Sequence, residues 1–422
     1  MDKEIKERIA AINSGIIPEG YKKTKVGIVP VEWEIEQIGK YLVEYKEKST
    51  ENNQYPVLTS SRKGLMLQTD YFKDRQVTTE NNTGYNIIPY GYLTFRSRTD
   101  DGRFVFNKNT IIDKGIISYF YPVFSFKKKV DTTFMLELLN FSIYHRFMPF
   151  VEGTAQQVLS LKKLGNLIYA IPPFPEQQKI AEILSTQDKL IELQEKKIEQ
   201  LKELKKAYLQ KMFPKKGSKY PELRFKGFTD AWEQRKLSEL FEERNEQAPM
   251  SDEYPLMAFI ANIGVAPKGD RYDRSALIHD KTGKKYKRTE KGDFIYSSNN
   301  LETGSIGLNN YGKACISPVY SIFKSKHTVD PDFMGRILLR KEFIYQMVCF
   351  RQGVVYGQWK IHEDDFLNLT ILVPKTEEQQ KIGTFFSNLD NLITLHQRKS
   401  EQEKQKKKAL MQLLLTGIVR TK

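Results

Sequence analysis

The sequence predicts an α+β protein: a tandem duplication of an α/β domain plus a long helix, the two helices packed as an antiparallel coiled coil. Three observations predict it. The pentapeptide Glu-Gln-Gln-Lys-Ile occurs twice, at Glu176–Ile180 and Glu378–Ile382. The flanks repeat with it, at offsets that stay between 196 and 202 residues. Downstream of the first copy, residues recur every seven positions, the period of a coiled-coil seam.

The repeat extends well beyond the pentapeptide. Asp188, Leu190 and Ile191 align with Asp390, Leu392 and Ile393, and Lys205-Lys206-Ala207 with Lys407-Lys408-Ala409. Upstream, Val130–Met135 (VDTTFM) matches Val329–Met334 (VDPDFM), Pro122–Ser125 matches Pro318–Ser321, and Trp33-Glu34 matches Trp232-Glu233. Repetition on this scale defines the architecture before any local reading. The order is a helical segment over 1–20, a first α/β domain over 21–174 and a central helix over 175–217. A second domain over 218–375 and a second helix over 376–422 follow.

Each domain mixes β-rich runs such as Ile116–Phe126 with glycine and asparagine turns, and about 150 residues is an ordinary domain size. Helical spacing is expected over Phe134–Phe147 and Phe333–Val348. Pro175 suits the first turn of the central helix, where its missing N–H costs nothing. Leu184, Ile191, Ile198, Lys205 and Met212 form one seam of that helix, and Ile180, Gln187, Gln194, Leu201 and Tyr208 the other. From Glu176 to Phe213 it spans about 57 Å at about 1.5 Å per residue, and Pro214 and Gly217 end it. The second helix opens with Thr376-Glu377-Glu378-Gln379, which reads as a capping box. Its stretch His396–Lys408 is almost wholly polar, so a solvated middle with packed ends is expected. Two such helices at opposite ends of a duplication pair antiparallel, placing the domains at opposite ends of a rod.

Composition sets the class. A hydrophobic share of 40% and a charged share of 28% fit a folded soluble protein. No apolar run approaches the roughly 20 residues of a membrane helix, and the first residues, with acids among lysines, do not read as a signal peptide. Cys315 and Cys349 are the only cysteines, which excludes a disulfide framework and a multi-cysteine zinc site and suits a reducing cytoplasm. A net charge of +15 and a pI near 9.3 point toward a polyanionic partner, most simply a nucleic acid.

Catalytic motifs are wanting. Ile171-Pro172-Pro173-Phe174 holds the Pro-Pro-aromatic core of amino-methyltransferases, but Ile171 stands where an Asn or Asp would hold the target amino group. It reads as a turn that starts the helix. Gly307–Ala314 resembles a P-loop but ends in Ala314 where Ser or Thr would hold magnesium; with the strand-like Cys315–Lys324 after it, it reads as a turn. The five histidines lack ligand spacing, and no serine or cysteine has a nucleophile's neighbourhood. The protein reads as non-catalytic, with no metal site.

What is left is basic and amide side chains on turns. In the first domain these are Arg62, Lys63, Arg96, Arg98 and Arg103, with Tyr71, Tyr85 and Tyr90 nearby. In the second they are Lys268, Arg271, Arg274, Lys284, Lys285, Lys287 and Arg288, with Ser297, Asn299 and Asn300. Lysine and arginine supply phosphate affinity, and Arg, Asn and Gln read base edges. Any single one also reads as a solvated surface charge; the clusters carry the reading. These loops diverge between the copies while their flanks repeat, which suits two different targets. Gly153-x-x-Gln156 and Gly353-x4-Gln358 occupy matching places and read equally as tight turns or DNA contacts.

Two variable α/β domains, each ending in such a turn and then a Pro-x3-Glu-Gln-x2-Ile helix start (Pro172 to Ile180, Pro374 to Ile382), resemble the specificity subunit of type I restriction-modification systems. The resemblance covers essentially the whole chain, including Gly20–Trp33. It implies that each domain is a target recognition domain reading one half of a bipartite, asymmetric double-stranded DNA site, with the helices as a ruler for the gap. It implies docking of two methyltransferase (modification) subunits, with restriction/translocase subunits joining them. Glu176, Gln177, Ile180, Glu378, Gln379 and Ile382 are the candidates for starting the helices and docking subunits. S-adenosylmethionine, ATP and Mg2+ then belong to partner subunits, with none in this chain. The expected location is a prokaryotic cytoplasm, associated with the nucleoid, and not a membrane. The alternative is a coiled-coil assembly scaffold with sequence-neutral DNA binding; a fused methylase-nuclease would require the catalytic motifs that are wanting.

Overall fold

The computed structural model describes residues 3–72, 81–141, 157–267, 284–354 and 358–421. The helices that organise them are α1 (Lys3–Asn13), α2 (Thr132–Phe141), α3 (Phe174–Lys211), α4 (Pro331–Ile337) and α5 (Thr376–Leu415). The chain divides into two compact units, residues 1–194 with 399–422 and residues 195–398. Each long helix therefore gives one half to each unit.

In the first unit, strands β1 (Leu42–Tyr45), β2 (Leu93–Phe95), β3 (Phe106–Lys108) and β4 (Val123–Phe126) form an antiparallel sheet in the order β3-β2-β4-β1. Phe95 lies 4.8 Å from Phe106 and 6.2 Å from Phe124, ring centre to ring centre. Helix α2 lays Phe134, Met135, Leu138 and Leu139 into the same core, a stripe at helical spacing. It starts where the Asp131 carboxylate accepts from the N–H groups of Thr133 and Phe134 at 2.9 and 2.8 Å, an N-cap that satisfies orphan donors. The expected helix over Phe134–Phe147 is thus seen from Thr132 to Phe141, and positions 142–147 lie outside the described residues. The expected β-run Ile116–Phe126 is two strands, Lys114–Ile117 and β4. A turn closed by Tyr121 N–H donating to Ser118 O separates them, and Pro122, without an N–H, cannot continue a ladder there.

The second unit repeats the plan. Strands β5 (Phe241–Glu243), β6 (Phe294–Tyr296), β7 (Ile306–Leu308) and β8 (Ser321–Ser325) run in the order β5-β8-β6-β7. With β5 matched to β1 and β8 to β4, this is the order of the first sheet. The expected helix over Phe333–Val348 is broken. Helix α4 ends at Ile337 and a second helix runs over Lys341–Val348, because Arg340 holds an extended backbone, ψ 144°. Gly335 is needed inside α4: a Cβ there would come within 2.4 Å of Leu308. The glycine-rich Gly307–Ala314 is a turn, as its sequence suggests. Buried Asn309 accepts from the N–H groups of Tyr311 and Gly312 at 2.9 and 3.1 Å, and Asn109 caps the matching turn of the first unit. The strand expected over Cys315–Lys324 is likewise two pieces, Ala314–Ile316 and β8.

The Glu-Gln pairs fasten the helices. Pro173 O accepts from Glu176 N–H and Gln177 N–H at the start of α3. The Gln177 amide accepts from Asp131 N–H at 2.8 Å and donates to Pro172 O at 2.9 Å, bolting the helix to the start of α2. Gln379 does the same with Asp330 N–H and Pro374 O, at 3.1 and 2.8 Å. Arg420 grips the Glu176 carboxylate at 2.7 and 2.8 Å, and Trp33 Nε1 donates to it at 3.1 Å. In the second unit Arg224 takes Glu378 through a two-pronged bond at 2.7 and 2.8 Å, the fork geometry that suits a carboxylate. The capping box expected at Thr376 is not formed. Its hydroxyl donates to Thr328 O, and Gln379 is committed to Asp330 and Pro374.

Both units contain an antiparallel stretch of the two helices. In the first, Ile180 and Leu184 pack with Leu410, Met411, Leu414 and Leu415, and Gln187 Nε2 donates to the Glu403 carboxylate at 2.5 Å. In the second, Leu201 meets Leu389 and Ile393, and Tyr208 meets Phe385 at 5.0 Å. The two heptad seams read from α3 are its less exposed stripe. The expected solvated middle of α5 is replaced by a polar but packed seam. Ser400 is buried, Glu403 takes Gln187, and Lys407 sits between Asp188 at 2.6 Å and Glu137 at 3.1 Å. The matching cluster of the second unit reverses one sign. Asp390 takes Lys205 at 2.5 Å and Arg336 at 2.7 Å, with Arg336 where the first unit has Glu137. Helix α3 ends at Lys211, short of Pro214, so that Met212 and Phe213 turn into the core.

Candidate nucleic-acid interface

In the first unit the predicted cations converge. The hairpin Leu58–Ser61/Gly64–Leu67 turns at Arg62-Lys63, and Gly64 supplies the positive φ, 120°, that the turn requires. Asn107, beside it on β3, donates to Ser60 Oγ at 2.7 Å and Ser61 O at 2.9 Å and fixes the hairpin in place. Beyond β2 the chain passes through Arg96 into the short strand Arg98–Thr99, which pairs with Gln157–Val158. These segments enclose a cleft of about 530 Å³ lined by Arg62, Lys63, Arg96, Arg98, Arg103 and Tyr71, among others.

One acid organises the cleft. Asp101 accepts from the Thr99 hydroxyl at 2.8 Å, from Arg103 N–H at 3.2 Å and from Arg62. The Thr99 hydroxyl above all, then the Arg103 N–H and the Arg62 guanidinium, hold its carboxyl down to about 2, so it stays ionised and keeps Arg62 in place. Arg98 stacks over Phe120 at 4.8 Å, which pre-orients its planar guanidinium. Tyr71 and Tyr90 are exposed, but Tyr85 is buried and offers no ring to a ligand.

The second unit presents different chemistry. Lys268, Arg271 and Arg274 lie outside the described residues, as does Gln156 of the first unit. Lys284 and Lys285 are exposed. Lys287 is buried, and burial lowers its pKa despite Glu363 and Glu243 nearby, so it does not reach a phosphate as expected. Ser297 is buried as well. Arg288 is taken up by Glu246 at 2.5 Å and by the Tyr254 ring at 4.5 Å. Asn299 and Asn300 are exposed, and Asn299 Oδ1 accepts from Trp359 N–H at 2.6 Å. That bond anchors the hairpin of Gln352–Val354 and Gln358–Lys360, on which Gln358 is exposed.

Trp359, 47% exposed, stands outside the cations and amides that the sequence singles out. Its signal was available: an aromatic directly after Gln358, where a ring can stack on a base. Glu176, Gln177, Ile180, Glu378, Gln379 and Ile382 are all buried. They start the helices as expected, but their side chains are committed within their own units and give a docking partner no surface. Exposed apolar side chains on the helices are instead Phe174, Ile183, Leu190, Leu193 and Leu204 on α3 and Leu392 and Leu395 on α5. Among the described residues no group of His, Cys, Asp and Glu could hold a metal, and no helix is long and apolar enough to cross a membrane.

The family pattern described as "Type I restriction modification DNA specificity domain" matches twice, over residues 30–203 and 229–405. The chain is 26% identical over 434 residues to the protein assigned as the specificity subunit of type I restriction enzyme MjaX in Methanocaldococcus jannaschii, covering 96% of this chain and 97% of that one. It is 24% identical over 432 residues to the MjaVIII specificity subunit of the same organism, with the same coverage. Its fold is similar to that of a type I restriction-modification S subunit from M. genitalium. The TM-score is 0.56 at 15% identity, over 91% of this chain and 96% of that one.

Proposed function

The chain belongs to the family of type I restriction-modification DNA specificity domains, and from that premise we propose how it works as the non-catalytic DNA-specificity subunit of such a complex. Each unit reads one half of a bipartite, asymmetric duplex site. The paired α3 and α5 set the unspecified gap, and they dock two modification subunits that methylate adenine, with restriction subunits joining them. S-adenosylmethionine, ATP and Mg2+ act in those partners, in a prokaryotic cytoplasm alongside the nucleoid.

The observation that carries this reading is one sheet order used twice with unlike loops. The first unit offers a cleft of arginines around Asp101; the second offers Asn299, Gln358 and Trp359 on a braced hairpin. Conserved scaffolding with divergent contact chemistry is what two different half-sites call for. The exposed leucines of α3 and α5 suit protein partners. Deleting the gene and sequencing the host methylome at single-molecule resolution tests the reading: one bipartite N6-methyladenine motif is expected to vanish. An unchanged methylome in a host whose modification subunits are active would overturn it in favour of a sequence-neutral scaffold.

A further inference from the structure

The cleft of the first unit holds more cationic chemistry than its own acid consumes. Asp101 takes Arg62 and the Arg103 backbone N–H. Among the described residues, the side chains of Arg96 and Arg103 have no hydrogen-bond or ion-pair partner, and Arg98 only stacks on Phe120. Arg96 and Arg98 are both exposed and line the same cleft, two residues apart. They follow β2, whose flank is braced by Ser97 N–H donating to Phe120 O and Leu159 N–H donating to Ser97 O, both at 2.9 Å. A guanidinium on a fixed base, with all of its donors open, pairs two-pronged with O6 and N7 of guanine, which no other base edge offers in the major groove.

The matching stretch of the second unit follows β6. There Ser297, Ser298, Asn299 and Asn300 stand where the first unit has Arg96, Ser97, Arg98 and Thr99. Ser297 is buried, the Ser298 hydroxyl accepts from Ile361 N–H at 3.0 Å, and Asn299 Oδ1 accepts from Trp359 N–H. No guanidinium stands at these positions.

We infer that the half-site read by the first unit contains guanine contacted in the major groove by Arg96 and Arg98, and that the corresponding contact of the second unit is not to guanine. The inference rests on the chain acting as a DNA-specificity subunit, and it adds the base that one half must carry.

The test uses the intact complex purified from the host through a tag on this chain, assayed for methylation of synthetic duplexes bearing its own motif. Replacing guanine by 7-deazaguanine removes N7 and leaves Watson–Crick pairing intact. In the half whose recognition changes in the Arg96→Lys and Arg98→Lys variants, this replacement is expected to slow methylation on the order of ten- to a hundredfold. In each variant the penalty at the guanine that its own arginine contacts should shrink while the penalty at the other remains, because an ammonium is a point charge without the rigid fork that engages O6 and N7 together. Inosine, which keeps O6 and N7, should be accepted. Should both variants prove inactive, the modified duplexes with the unaltered complex still decide. If neither half contains guanine sensitive to N7 removal, the inference is wrong while sequence-specific reading stands. If the complex shows no motif at all, the functional reading itself fails.

Discussion

Glu137 shows how one side chain can sit in tension with its surroundings. Burial pushes its carboxyl above the usual range, Lys407 pulls it down, and Asp188, which shares Lys407, pushes it up again. The net shift is upward. An acid whose folded pKa exceeds its unfolded value near 4.5 stabilises fully below that value and loses its contribution as pH rises through the raised one. Glu137→Gln is therefore expected to leave stability unchanged near pH 4 and to raise the melting temperature by a few degrees at pH 7, with Asp188 still holding Lys407. Thermal melts across that range decide the point; destabilisation at every pH would mean that the attraction to Lys407 outweighs burial. Arg224 holds Glu378, and Arg420 holds Glu176, each through a two-pronged bond, and Arg420 takes Glu32 as well. The sequence disclosed that Glu176 and Glu378 mattered, by repeating them, but not what they bind. Arg224 and Arg420 reach them across 154 and 244 positions, and no local pattern reports such a pairing.

At the scale of elements, the register of α3 against α5 constrains how the gap between half-sites can be changed. In the first unit Gln187 meets Glu403, and in the second Leu201 meets Leu389 and Ile393. Seven residues inserted between Ile191 and Ile198 alone would lengthen α3 by about 10 Å with nothing opposite, tearing the seam in one unit. A matching heptad between Ile393 and Ser400 keeps both seams intact. The double insertion is expected to give a folded subunit whose methylated motif has a gap longer by roughly three base pairs, with both half-sites unchanged, while the single insertion gives no methylation. Methylome sequencing of the two strains reads this directly, and an unaltered gap in the double insertion would end the ruler idea. The α3 seam was legible because a seven-residue period is a direct record of burial. The middle of α5 was not, since Ser400, Glu403 and Lys407 look like solvent-facing residues until the partner helix is in place. The cleft was half legible: its arginines were visible as a cluster, but their enclosure depends on the hairpin at Arg62 folding against Arg96–Arg103. Lys287 misled because a strand's alternation between inside and outside needs to be known before a cation on it can be called exposed, and Arg288, its neighbour on the opposite face, because Glu246 and Tyr254, which take it up, lie far from it in sequence.

At the scale of the whole molecule, each unit is completed by a helix that begins in the other. The segment after α5 closes the first unit through Arg420 on Glu176, Gly417 O accepting from the Tyr21 hydroxyl at 2.8 Å, and Ile418 O accepting from Arg8 at 2.7 Å. Ending the chain after Leu415 removes all three and leaves Glu176 buried with Trp33 as its remaining partner, at a cost of about 3 kcal/mol. Hydrogen exchange read by mass spectrometry should show protection lost around 21–37 and 168–180 and retained in the strands β5 to β8; uniform loss or no loss would contradict this division. The same arrangement has a consequence for synthesis on the ribosome. The second unit, residues 195–398, has every residue it needs once position 398 has emerged, whereas the first must wait for 399–422 although it was begun first. Translation order and order of completion are therefore inverted. A nascent chain paused between the two carries an unfinished first unit whose hydrophobic core still lacks Leu414 and Leu415, which makes that interval the one in which a chaperone has something to hold.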